Sequence, residues 1–425
     1  MKNRVWAIVL VAVVVASVAL GTGRAEAATP TRSLNILMFS SFVAENDQML
    51  RTMAEEFGRM KGIDVTVNFV GIAELHPKLA AEAVSRSGHD IIGMENLQVS
   101  LYEDSLLPIT DVVNQIVERY GQFAPAATTA AVRDGEWMAL PWWIVPFHQT
   151  YREDLFKNAG LTVPNTWQEV LESGRELKAR GNPIGIPFGN AGDANNSLYS
   201  ILWSFGAGIA DQNGVITLDS QATRDAIAFT QTLFQEAMVP DVLGWASNAA
   251  NNHFILSGVG SWTLNPISIW VLAGRESLDL TQHLNHHGAL AGPAGRFGSG
   301  DFYSLGIWEF SPNIDLAKEF LLYLYDEQQM NRYLTSGQGF NLPTHPHFYN
   351  HSVFEHPKLQ GLRGFADYFR LTGYPAPPDM RAQEAYVRWV VPNMFLRILG
   401  GHASVDQAIS EAVAELVEIG YTLPQ

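Results

Sequence analysis

Leu34-Asn35-Ile36-Leu37-Met38-Phe39 is a short apolar run ending in Ser40-Ser41; beyond it Met49, Met53, Phe57 and Met60 recur at helical spacing, and after Gly62 the residues Ile63, Val65, Val67 and Phe69 alternate. Those periods predict a buried strand, a helix with one apolar face and a second strand. A helix from Glu74 to Ser87, stopped at Gly88, then leads to another buried strand at Asp90-Ile91-Ile92-Gly93. Two successive crossovers of this kind imply an α/β protein whose parallel sheet carries helices on both faces. Ligands of open α/β sheets lie outside the carboxyl ends of the strands, so the segments after Phe39 and Ile92 are the first places to seek a site.

The whole chain has 425 residues, no Cys, 43 acidic against 27 basic side chains and 47% hydrophobic residues. That is long enough for two domains with sizeable cores. A formal charge of −16 repels phosphodiester backbones and anionic lipid, which argues against nucleic-acid and membrane-surface partners. Lys2 and Arg4 precede an apolar run from Val5 to Leu20, Gly21 and Gly23 break it, and Ala25-Glu26-Ala27 supplies a small-x-small cleavage pattern. Residues 1–27 therefore read as a secretory signal peptide cut before Ala28, with retention as an anchor the alternative. The expected product is a free periplasmic monomer. Without Cys it has no lipidation site, no disulfide and no thiolate metal ligand.

Further along, Thr166-Trp167-Gln168-Glu169 and Ser404-Val405-Asp406-Gln407 have the spacing of capping boxes, and another helix is expected after Ser311-Pro312. Asp134-Gly135-Glu136-Trp137-Met138-Ala139-Leu140-Pro141, then Tyr151-Arg152-Glu153-Asp154-Leu155-Phe156-Lys157-Asn158-Ala159-Gly160-Leu161, then Pro164-Asn165-Thr166-Trp167 form an ordered block. The block resembles that of extracellular solute-binding proteins of the maltose-binding type, the receptors of carbohydrate ABC importers. Gly88-His89-Asp90-Ile91-Ile92, Leu256-Ser257-Gly258, Ser311-Pro312-Asn313 and the segment from Gly400 to Ala408 resemble further blocks of that family in the same order, with His89 where the family usually has Pro.

The resemblance implies a two-lobed periplasmic binding protein fold, each lobe a mixed, mostly parallel sheet flanked by helices, joined by a three-segment hinge. It places crossings near Trp142-Trp143, Gly292-Pro293 and Asp326-Glu327. Lobe 1 would then hold residues 28–142 and 293–326, and lobe 2 residues 143–292 and 327–425. It further implies a sugar in the cleft and membrane permease subunits as partners, with no cofactor.

A sugar presents C–H faces and a rim of hydroxyls, so its receptor needs aromatic surfaces edged by Asp, Asn, Glu or Gln. Ser41, Phe42 and Glu45 follow the first strand, and Glu95-Asn96 follows the third. Asn195-Asn196 precedes the helix holding Trp203, Trp245 lies in a cleft segment, and Asn265 ends a strand. Asp301-Phe302-Tyr303 follows a Gly-rich turn, and Phe340-Asn341 precedes Pro343. Trp142 and Trp143, adjacent in an extended segment, should face opposite ways, so one indole is expected in the cleft. Asn265-Pro266-Ile267-Ser268, flanked by Trp262 and Trp270, departs from the family's turn at that place, and Trp389 is the aromatic expected near the C-terminus.

The segments Met38–Gln48, Gly93–Tyr102, Trp137–Tyr151, Phe188–Phe205, Asp241–Trp270, Gly300–Glu309 and Ser336–His345 contain no Lys or Arg. A phosphate or carboxylate solute would require one there, which points to a neutral ligand and away from glycerol phosphate. Glu45, Glu95, Asp193 and Asp301 beside aromatics would also suit a cationic solute such as a polyamine or quaternary amine. No nucleophile motif is present, and the adjacent pairs Glu55-Glu56 and Glu103-Asp104 read as solvated faces, so catalysis is not expected. His345, His347, His351 and His356, interrupted by Pro346 and Pro357, and the group His283, His286 and His287 read as structural or surface histidines rather than as the helical ligand pair of a common zinc site. Exhaustive chelation is accordingly expected to leave ligand binding unchanged; a loss restored by zinc would assign those histidines a metal.

Overall fold

A computed structural model describes residues 32–425; the expected signal segment lies outside the described residues. Strands β1 (Ser33–Phe39), β2 (Asp64–Val70) and β3 (Ile91–Glu95) run parallel, crossed over by the helices Ala44–Lys61 and Ile72–Ser85. The first helix buries Leu50, Met53 and Phe57, and Gly62 ends it at a φ of 66°, a conformation in which a Cβ would be strained. β4 (Leu140–Phe147) leaves this sheet for β5 (Gln149–Arg152), which pairs with β6 (Trp262–Leu264) and β7 (Leu284–His287). The chain returns as β8 (Ser299–Ile307) and closes the first sheet with β9 (Leu342–Pro343), giving the order β9-β4-β8-β3-β1-β2. β8 is antiparallel to both neighbours.

Two large cores underlie two lobes, one containing Leu34, Phe57, Ile92, Phe302 and Phe320, the other Trp167, Ile186, Leu202, Trp262 and Phe395. In the second lobe β5 is antiparallel to both partners, and among the described residues the parallel neighbours expected there are reduced to isolated bridges, Thr166–Ala291, Ile184–Met238 and Val215–Thr422. The predicted box at Thr166 forms: its side chain accepts from the Glu169 N–H while the Glu169 carboxylate accepts from the Thr166 N–H.

The two sheets mark where the chain passes from one to the other. The first passage lies at His148, between β4 and β5, and the second between Phe297, packed on the second core, and Ser299. The helices Ile314–Leu324 and Glu327–Ser336 both pack on the first core and β9 after them belongs to the first sheet, whereas the turn Pro357–Leu362 lies against β7 of the second sheet, with the Lys358 carbonyl 2.9 Å from His286 Nδ1. Asp326 is the N-cap of a helix, its side chain accepting from the Gln328 N–H, and a helix-to-helix junction reads in sequence much like a linker.

Trp142 and Trp143 are both core residues of lobe 1, 1% and 2% exposed. β4 opposes Trp143 to Tyr303 but Pro141 to Ser304, so Trp142 is the extra residue of a β-bulge. The bulge breaks the alternation on which a cleft-facing indole depended. Both rings turn to the same side, 4.1 Å apart, and pack 4.8 and 5.1 Å from Tyr333. Trp142→Ala is therefore expected to cost about 3–5 kcal/mol of folding stability. Thermal melts and titration of the same preparation should show a lowered midpoint with affinity unchanged in the folded fraction.

Candidate ligand-binding site

The carboxyl ends of β1, β3 and β4 and the starts of β8 and β9 share one edge of the first sheet. Against that edge lies the helix Gly192–Ser204 of lobe 2, whose Asn196 Nδ2 donates to Asp301 Oδ1 at 3.0 Å across the lobe boundary. Between them is a cavity of about 40 Å³. Phe39, Phe42, Phe147, Tyr303 and Phe340 form its aromatic walls, with Ile72, Val145 and Pro266 completing the apolar surface. Glu95, Asp193, Asn248, Asn265, Ser268 and Asp301 supply the polar surface. Room for a few waters is too little for a sugar ring, so a saccharide enters only when the lobes part.

Of the residues singled out from the sequence, Phe42, Glu95, Asn265, Asp301, Tyr303 and Phe340 line this cavity together. Asp301 and Tyr303 face it because they alternate along β8, and the same alternation sends Phe302 into the lobe 1 core. Asn195 and Asn196 lie within a helix rather than before it; Asn195 is fully buried and donates to the Tyr386 carbonyl. Asn96, at a φ of 52°, uses Oδ1 to accept from the Phe302 N–H. Asn341 is buried in lobe 1.

The remaining candidates serve other ends. Ser41 accepts from the Val43 N–H and donates through its own N–H to Asp47, which shapes the start of the first long helix. Glu45 is exposed on that helix, beside Trp270 and Arg275. Trp245 packs 5.2 Å from Phe254 in lobe 2. Trp389 stacks on Tyr386 at 6.4 Å. Trp262 donates to His287 and Trp270 packs on His356, so among the described residues the cavity walls are Phe and Tyr, with no Trp. His345, His351 and His356 each accept a backbone N–H two residues on, capping short 3-10 turns.

Sequence reasoning missed Phe39, Phe147 and Tyr386, and weighed Asp193 only as a partner for a cation. The carboxylates and their phenols form one network. Tyr303 Oη donates to Glu95 Oε1 at 3.0 Å, and His76 Nε2 lies 3.2 Å from Glu95 Oε2. Asn251 donates to Asp193 at 2.8 Å and, through the same nitrogen, to Asn265 Oδ1 at 2.8 Å. Burial pushes the Asp301 carboxyl up to about 7, with the neighbouring Glu95 adding to it and Asn196 opposing. Burial, then Asp301, raises Asp193 likewise, and Tyr386 is raised by burial, Asp301, Glu95 and Asp193. Among the described residues no Lys or Arg lines the cavity to relieve this crowding of acids.

A family model of the bacterial extracellular solute-binding proteins matches residues 44–331. The chain belongs to that family. Its curated relatives include arabinooligosaccharide-binding proteins of Halalkalibacterium halodurans, 21% identical over 67% of this chain and 64% of that protein, and of Bacillus subtilis, 23% identical over 79% and 78%. The first alignment thus spans just under two thirds of the relative's own length. Among solved structures, maltose-bound MalE3 of T. maritima superposes with a TM-score of 0.77 at 20% identity, over 91% of this chain and 99% of that one. The two-lobed fold is shared, and the family is one of solute receptors rather than enzymes. Among the described residues no helix is long and apolar enough to cross a membrane.

An acid whose folded pKa is raised keeps its proton between pH 4 and 7 while the unfolded chain gives its own up. The unfolded state then binds fewer protons, and stability falls as pH rises through that window. Asp301→Asn removes the titration. Its melting midpoint is expected to exceed that of the parent at pH 7.5, with the difference vanishing toward pH 4, as read from paired melts across that range.

Proposed function

We propose that this protein is the receptor of an ABC importer, capturing a carbohydrate between its lobes and presenting it to the permease subunits in the membrane. The observation that carries the reading is the cavity itself, at the edge where β1, β3 and β4 end. Its rings suit the C–H faces of a sugar, and its carboxyls and amides suit the hydroxyls. The printed names of the relatives, which include arabinooligosaccharide-binding proteins and a maltose-bound structure, support the same solute class. Glycerol phosphate is disfavoured because, among the described residues, no Lys or Arg lines the cavity to meet its phosphate. Export by cleavage before Ala28 and action as a monomer belong to this reading.

A ligand that binds only the native state raises the melting midpoint by mass action. A panel of arabino- and malto-oligosaccharides, glycerol 3-phosphate and spermidine should therefore give its shifts among the saccharides, and a response confined to glycerol 3-phosphate or spermidine would overturn the reading. Phe340, buried at the cavity wall and 6.4 Å from Phe42, is placed as an aromatic anchor. Phe340→Ala is expected to cost on the order of 2 kcal/mol in saccharide affinity, measured by titration calorimetry.

A further inference from the structure

Two places on the lobe boundary, each next to a residue that lines the cavity, carry contacts whose partners come from opposite lobes. At the first, the helix Met380–Val387, part of the second core through Ala385, lies against the short helix Gln98–Tyr102, part of the first through Val99. Two residues beyond Glu95, the Leu97 N–H donates to Gln383 Oε1 at 3.1 Å. Leu97 is fully buried and Gln383 is 1% exposed. Beside them Arg133 of lobe 1 donates through Nη2 to the Pro378 carbonyl at 3.3 Å and to the Ser100 hydroxyl, with its Nε 3.5 Å from Glu103.

At the second place, the helix Ser268–Arg275 follows β6 of the second sheet, yet its Val271, with Ile267 before it, packs on the first core. Arg275 at its end donates to the Phe42 carbonyl of lobe 1 at 3.4 Å. These contacts enclose a cavity of about 40 Å³, which has no room for a sugar ring. The arrangement that joins the lobes is therefore one from which the solute is shut out. A buried N–H needs an acceptor, and Leu97 finds its own only in the opposite lobe. Parting the lobes gives that bond, and the one from Arg133 to Pro378, over to water.

We propose that this receptor rests shut, with Gln383 and Arg133 as the positioning residues that hold the lobes together, so that capture begins with their release. Removing either contact takes free energy from the shut state alone and moves the equilibrium toward the open one. The inference stands on the boundary contacts and the cavity size, whatever the chemistry of the solute.

The test measures the lobe separation directly. The chain has no Cys, so Ala73→Cys and Ala246→Cys together create two defined sites for spin labels. Both alanines are exposed, and they neighbour Ile72 of lobe 1 and Asn248 of lobe 2, which line the cavity from opposite sides. Double electron–electron resonance on labelled protein, shown by mass spectrometry to carry no solute, is expected to give one short distance. Gln383→Met, which keeps the length of the side chain and loses the acceptor, and Arg133→Met should each add a longer component. In the double variant the ratio of open to shut protein should rise tenfold or more. Val387→Ala, at an exposed position of the same helix, should match the parent. Melting checks that each variant folds, and if Gln383→Met does not, Arg133→Met decides by the same reading. A solute-free parent that already shows mainly the longer distance would overturn the proposal. An unchanged short distance in the folded variants would overturn it equally, and neither result touches the carbohydrate reading.

Discussion

The pairing of Tyr303 with Glu95, and of Tyr303 with Trp143 on the other side, is the constraint on which the rest depends. β8 arrives from the second lobe and inserts antiparallel between β3 and β4, so its first residues reach the edge where those strands end. One register thereby sets two things. It anchors the second lobe to the sheet of the first, and it aims Asp301 and Tyr303 at the cavity while burying Phe302. A slip of one residue would exchange those faces.

The bulge at Trp142 belongs to the same constraint. Register on β8 is kept from Ser299 to Tyr303 and again from Ser304 onward only because β4 carries one extra residue. Its two indoles fill the space under the helix Glu327–Ser336, and Trp143 packs 5.4 Å from the Tyr303 ring. The tryptophans thus act behind the cavity wall, holding the tyrosine that lines it. Large rings far from the ligand can still govern it, through the rotamer of the residue they support.

Electrostatics sets what the closed lobes tolerate. The acids of the cavity are hydrogen-bonded to neutral donors, which orient them without cancelling their charge. Buried acids in contact are driven to hold protons, and Asp301 does so near neutral pH. Packing of the two lobes and proton occupancy are therefore linked through the same few atoms.

The first crossovers were legible in the residues themselves because their periods are local: Leu34–Phe39, the helix ended by Gly62 and the alternation to Phe69 state their structure within a few neighbours. The same holds for Thr166 and Glu169, which need only each other. Strand-end positions such as Glu95, Asn265 and Asp301 were legible for a related reason, since the sheet edge follows from strand direction. Composition determined that, among the described residues, neither Lys nor Arg lines the cavity, because the segments that reach it lack both. What only the tertiary structure decided was pairing across long separations. Nothing near Trp142 announces a bulge whose cause lies at Tyr303, and nothing near Asp326 tells a helix junction from a passage between lobes. The meeting of Asp193 with Asp301 and of Phe39 with Phe340 likewise depends on how two cores pack, a property distributed over the whole chain and written in no single stretch of it.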